Sequence, residues 1–168
     1  GYGGEGQLGH GDYQLQTMPT QIKRLQDQHV TDISCGEKHS ACLTSGGDVY
    51  TWGDGSLGQL GLGDFRKQPT PSRVMELADK HILQISCGSY HTAAIDKDEG
   101  VYTWGQGGSG RTGHDHENDV AVPTLVESLT GKGIQSVRCF AEHTMALTVP
   151  LEQSSSGLFD ENSSIRLQ

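Results

Sequence analysis

Apolar runs are short throughout, and none reaches the roughly 18 residues a membrane span needs, so membrane insertion is not expected. No charged-then-apolar leader opens the chain, so no signal peptide is visible. Basic residues are outnumbered, 12 Lys and Arg against 21 Asp and Glu, for a formal net charge of −9. A phosphate-backbone binder needs a broad basic stripe to displace counterions, so direct nucleic-acid binding is not expected. Helical periodicity is missing too, which excludes a helical solenoid. Aromatics are only 6% of the residues and prolines number five. The four cysteines (Cys35, Cys42, Cys87 and Cys139) lack the pattern of a disulfide framework. They sit in apolar, strand-like contexts and point to a reducing, intracellular compartment, cytoplasm or nucleus.

What is abundant is glycine, 24 of 168 residues, about twice the usual share of roughly 7%. The glycines belong to a repeat. Trp52 and Trp104 lie 52 residues apart. Cys35, Cys87 and Cys139 keep that step, as do His39, His91 and His143, and Pro19, Pro71 and Pro123. Residues 1–52 laid on 53–104 match at 23 of 52 positions without a gap, where chance at roughly 6% per position would give about three. A third copy, 105–149, is weaker but in register. The copies define units 1–52, 53–104 and 105–149, followed by a polar, Ser-rich tail, 150–168, expected to be disordered.

Each copy reads as short strands between turn signals. In the second, Ser72–Leu77 alternates polar and apolar, and His81–Cys87 is β-branched up to Gly88. His91–Ile95 runs into an acidic turn, and Val101–Trp104 ends at Gly105. Four strands in about 50 residues fit one propeller blade. The predicted fold class is all-β, a partial β-propeller of about three four-stranded blades.

The stretches GDGSLGQLGLGD (53–64), ISCGSYHTAAI (85–95) and VYTWG (101–105) resemble the regulator-of-chromosome-condensation repeat family. So do GEGQLGHGD (4–12), ISCGEKHSACL (33–43) and VYTWG (49–53), and the resemblance covers roughly residues 1–148. It implies a ring of about seven four-stranded blades, of which three copies are less than half. Gly1 aligns with Gly53 and Gly105, so the chain reads as a piece starting within a motif, with an aromatic expected before Gly1. Gln153–Ser156 aligns with Val101–Trp104 and lacks strand character, so the third unit is expected to miss its last strand, supplied by another part of the ring. Three blades alone leave open faces and edges that invite self-association.

Several motifs tempt toward chemistry. Gly53-x-Gly55-x-x-Gly58 matches a dinucleotide fingerprint, as do Gly1–Gly6 and Gly105–Gly110. A phosphate site would need those glycines to open a helix. A glycine-broken loop follows instead, and Gly58 and Gly61 read as turn glycines of a blade connection. The Cys-x3-His pairs, Cys35/His39, Cys87/His91 and Cys139/His143, offer zinc-type ligands. One pair per blade would fan out around an axis, so each Cys reads as a small buried apolar group and each His as a donor to a turn carbonyl. Trp52 and Trp104 read as packing between blades. The family includes an ultraviolet photoreceptor with clustered tryptophans, but Gly36–Ser40 and Gly88–Thr92 have no Trp where that motif carries one. No nucleophile elbow occurs. Neither catalytic residues nor a cofactor or metal are expected.

Residues that differ between copies are free to meet partners. Copy two carries an aromatic-basic knuckle, Phe65, Arg66 and Lys67. Copy three carries Arg111, His114, Asp115 and His116, followed by acidic residues. These are the candidate partner-binding residues. The resemblance implies a non-enzymatic interaction propeller with protein partners. Exchange-factor action on a small GTPase is one form, and targeting or autoregulation inside a larger ubiquitin ligase or kinase is the other. The 52-residue register admits no inserted wedge of the kind the namesake uses for exchange.

Overall fold

The computed structural model describes residues 1–148 and 164–167. Its strands are β1 (Val30–Cys35), β2 (His39–Thr44), β3 (Val49–Gly53) and β4 (Gln68–Arg73), then β5 (Ile82–Cys87), β6 (His91–Asp96), β7 (Val101–Gly105) and β8 (Val120–Leu125). They close with β9 (Ile134–Phe140), β10 (His143–Thr148) and β11 (Ser164–Leu167). Two four-stranded antiparallel sheets, β1-β2-β3-β4 and β5-β6-β7-β8, are followed by a three-stranded one, β9-β10-β11. The fold is all-β, with single 3-10 turns at Lys23–Leu25, Met75–Leu77, Gly108–Gly110 and Glu127–Leu129.

The sheets do not coincide with the sequence copies. β1 to β3 lie in copy one, but β4, the outer strand of the same sheet, lies in copy two. β8 joins the second sheet from copy three in the same way. The strand expected over Ser72–Leu77 is therefore displaced, because the strand is Gln68–Arg73 and Met75–Leu77 is a 3-10 turn. Pro69 and Pro71 lie within β4, which pairs only with β3. Proline removes a ladder donor and is tolerated on such an edge, where it also discourages further pairing.

Two apolar layers hold the sheets face to face. Ala41, Leu43 and Val49 of the first sheet pack on Val74, Leu77, Ile82, Ile85 and Ala94. Ala93, Ile95 and Val101 of the second pack on Val126, Leu129, Ile134, Val137 and Ala146. The same positions, 52 residues on, build each layer, and the array grows by stacking equivalent faces.

The third sheet departs from expectation. Ser164–Leu167 pairs antiparallel with β10 in the place that β3 and β7 hold in their sheets. An unpaired strand edge is a template for any extended segment, and the alternation in Ser-Ile-Arg-Leu suits one. Within the expected tail 150–168 the structure describes Ser164–Leu167, and residues 149–163 and 168 lie outside the described residues.

Candidate protein-binding face

The long connections between the third and fourth strands, residues 54–67 and 106–119, lean across to the following sheet. In the first, the Gln59 carbonyl accepts the Thr92 hydroxyl and the Trp104 indole N–H, each at 2.9 Å. Segment 1–11 repeats this, with the Gln7 carbonyl accepting from Ser40 and Trp52 at 2.9 Å. Gly61, with φ +70°, sits against the indole, and a Cβ there would stand 2.8 Å from Trp104 Nε1. The recurrent glycines serve this turn and close approach. The Trp104 indole joins the second sheet to a loop of the first and is fully buried, and Trp52 makes the same contact with segment 1–11.

The Cys and His positions are likewise joined to the next sheet. His39 Nε2 lies 2.9 Å from Thr92 Oγ1, and His91 Nε2 lies 2.9 Å from Thr144 Oγ1. Each hydroxyl proton is committed to a loop carbonyl, Gln59 or Arg111, so each hydroxyl accepts from the imidazole N–H. The partner is thus a threonine of the neighbouring sheet rather than a turn carbonyl. Burial lowers the His39 pKa to about 4 and that of His91 to about 3, the latter aided by the Arg111 charge. Among the described residues His143 has no such threonine partner, and it stacks at a tilt against Phe140. The backbone N–H groups of Cys87 and Cys139 donate to Ser34 Oγ and Ser86 Oγ at 2.9 and 2.8 Å. Burial pushes the Cys87 thiol up to about 12 and that of Cys139 to about 11, the opposite of an activated thiolate. Cys35 is exposed. Among the described residues no three His, Cys, Asp or Glu side chains converge as metal ligands.

Of the loop residues singled out by sequence, Phe65 is 54% exposed and the Arg66 side chain is open to solvent, with Asp64 3.9 Å away. Lys67 pairs with Glu5 of the first copy, and that bond raises its pKa. Arg111 does not join them. It is 3% exposed, with its Nε donating to the Gly108 carbonyl at 2.6 Å and Glu142 3.9 Å from Nη2. It takes the place of Gln59 in the third copy, and so belongs to the contact between sheets. His114 turns inward, with Nε2 2.9 Å from Thr103 Oγ1, and burial lowers its pKa. His116 stands beside it, ring centres 5.9 Å apart. With Asp115 these histidines border a recess of about 390 Å³ floored by Val120 and Leu125.

Sequence reasoning passed over Tyr13 and Tyr2, which are both strongly exposed. The signal was the register itself, since Tyr13 is the counterpart of Phe65, and Glu117 that of both. Exposed aromatics thus recur at the tips of the first two connections, and an acidic run replaces them in the third.

Stacked four-stranded antiparallel sheets, tied by loops that cross to the next sheet, define a β-propeller repeat protein. The chain belongs to the family described as the Regulator of chromosome condensation (RCC1) repeat, which matches at 1–43, 46–95 and 98–147. The human E3 ubiquitin-protein ligase HERC2 is 36% identical over 163 residues, covering 96% of this chain but 3% of that protein. The crystal structure of human WBSCR16 superposes with a TM-score of 0.74 at 24% identity, over 86% of this chain and 38% of that one. Prp20p from Saccharomyces cerevisiae, whose structure is described with its binding to Gsp1p and histones, superposes at 0.65 and 22% identity, over 76% and 33%. The chain therefore spans a small part of the ligase and about a third of each solved structure. No helix among the described residues is long and apolar enough to cross a membrane.

Proposed function

We propose that this chain is part of a protein-recognition propeller and that it meets its partner through the connections 54–67 and 106–119 together with segment 1–13. The observation that carries this reading is the pairing of exposed aromatics with unlike charge. Tyr13 and Phe65 project beside Arg66 and Lys67, and Asp115, Glu117 and Asp119 follow on the next connection. Aromatics and arginine are the residues that dominate protein interfaces. The strands beneath hold them on an ordered base.

Small-GTPase regulation is the finer reading, favoured by the likeness to Prp20p and by the family's namesake. A partner that prefers the empty GTPase must weaken nucleotide binding by linkage. Targeting within a larger ubiquitin ligase is the alternative, favoured by the likeness to HERC2. Capture from cell extract with and without EDTA, which removes Mg²⁺ and empties GTPases, separates them. A GTPase retained only under EDTA supports exchange, whereas ubiquitin-pathway proteins held equally in both conditions support targeting. In either case, Arg66→Glu with Lys67→Glu is expected to reduce capture by about tenfold or more, the scale of one lost interface anchor. Undiminished capture by that variant would remove this face from consideration.

A further inference from the structure

The third copy inverts the polarity of one turn. In the second copy Gln59 Oε1 accepts the Leu57 N–H at 2.9 Å, and Gln59 Nε2 donates to the Asp54 carboxylate at 3.3 Å. In the first, Gln7 Oε1 accepts the Glu5 N–H at 2.9 Å. The counterparts of Asp54 and Gln59 in the third copy are Gln106 and Arg111. A carboxylate has become a neutral amide, and an amide has become a guanidinium, which accepts nothing. The fields at the neighbouring histidines differ in sign accordingly. Beyond the lowering that burial causes in both, the Asp54 charge raises the His39 pKa and the Arg111 charge lowers that of His91.

Arg111 is almost wholly buried, yet its charge has no committed partner. Nε donates to the Gly108 carbonyl, and among the described residues Nη1 has no acceptor. Glu142 Oε1 stands 3.9 Å from Nη2, on a side chain that is 70% exposed, and that separation is beyond hydrogen-bond reach. A buried charge without its counter-charge is destabilising, so a carboxylate on Nη2 is favoured. There is room for one. The point where a Cβ would stand on Gly108 lies 3.9 Å from Arg111 Nη2 and 4.0 Å from Gln106 Nε2, and apart from the turn's own backbone no other atom is within 4 Å. Gln106 and Gly108 are half-buried and Ser109 is exposed, which puts this point at the surface. It belongs to the connection 106–119, which Gln106 opens by donating its N–H to the Tyr90 carbonyl at 2.9 Å.

We propose that Arg111 and Gln106 form an anion site for a single carboxylate, that of an aspartate or glutamate side chain on the partner protein, seated where Glu142 makes only a loose approach. The guanidinium fork matches a carboxylate in shape, and one guanidinium balances one negative charge. A phosphate dianion would bring a second charge toward Glu142 and toward Asp119, which accepts the Gly107 N–H at 3.1 Å, in a chain of net charge −9. The carboxylate is assigned to a partner's side chain because the site lies on the face proposed above for protein binding, and that assignment rests on that reading. The stem of Arg111 serves the seam between sheets, and its Nη2 edge serves the partner.

The test is urea denaturation of the full 168-residue chain at one low protein concentration, with sodium acetate or sodium phosphate in place of sodium chloride at about 0.15 M ionic strength. An anion bound only by the folded chain raises the folded-to-unfolded ratio by one plus its concentration over its Kd. Acetate is expected to raise that ratio about threefold or more over chloride, and phosphate to raise it less. Arg111→Gln installs the residue of the other two copies and is expected to remove the acetate increment, whatever it does to stability in chloride. Glu142→Gln removes the competing carboxylate and is expected to enlarge the increment at least about twofold. No acetate increment, an increment that survives Arg111→Gln, one that is larger with phosphate, or one that Glu142→Gln leaves unchanged would each overturn the proposal. Should Arg111→Gln not fold, the Glu142→Gln result decides alone. Neither a partner nor Arg66 and Lys67 enter these measurements, so the anion site and the loop face fail separately.

Discussion

At the scale of single residues, His39 and His91 show how a repeat turns a local pair into a joint. Each imidazole donates to the threonine 53 residues ahead, and that threonine donates to a loop carbonyl. Both rings are held neutral, with pKa values of about 4 and about 3 against about 6.5 in an unfolded chain. The unfolded state therefore binds more protons between those values. Stability is fully present above about pH 6.5 and falls as pH drops toward 4 and then 3, by about 1.4 kcal/mol per pH unit for each imidazole. Urea denaturation between pH 4.5 and 7.5 is expected to show this slope, and His91→Gln to reduce it by about half. An unchanged slope in that variant would mean other groups carry it. The Cys-x3-His spacing drew attention to these histidines, but a reading confined to one copy looked for a turn carbonyl. The partner is visible only when each His is set against the residue that follows the next copy's His, Thr92 after His91 and Thr144 after His143.

Among elements, the offset between copy and sheet was the part least legible from sequence. Strand identity followed from β-branched alternation in β5 to β7, which lie close to where the pattern placed them. β4 was obscured by Pro69 and Pro71, residues that normally signal a break and are admitted here because β4 is an outer edge. The alternation that extended the strand through Leu77 has another cause. Val74 and Leu77 are buried three residues apart across a 3-10 turn, while Met75 faces solvent. Leu77→Ala is accordingly expected to cost about 2–5 kcal/mol, as for a buried leucine, and Met75→Ala less than about 0.5 kcal/mol. Chemical denaturation measures both, and equal costs would contradict the turn. The proposed face drew on residues the sequence had singled out. Phe65, Arg66 and Lys67 stood out as departures from the repeat, and they are at the surface. Arg111 stood out equally and is buried, because sequence difference alone does not tell a loop tip from a residue that replaces Gln59 between sheets.

For the whole molecule, the two terminal sheets present unlike apolar faces. Ile33 is exposed, though its counterparts Ile85 and Val137 are buried against the preceding sheet. Met145 and Leu147 are exposed, though their counterparts Ala93 and Ile95 are buried against the following one. Faces that are complementary but not identical associate head to tail. This chain alone is expected to sediment with a concentration-dependent coefficient, and Met145→Lys with Leu147→Lys to return it to a monomer. A parent chain that stays monomeric across the concentration range would contradict this. The way outer strands are borrowed from the next copy has one more consequence. β4 and β8 fasten each layer with material from its successor, as overlapping planks fasten a hull. Because every overlap recurs after 52 residues, a gene losing or gaining that length reconstitutes an intact seam wherever the cut falls. Such an array can change its length in evolution without ever needing a break at a structural boundary.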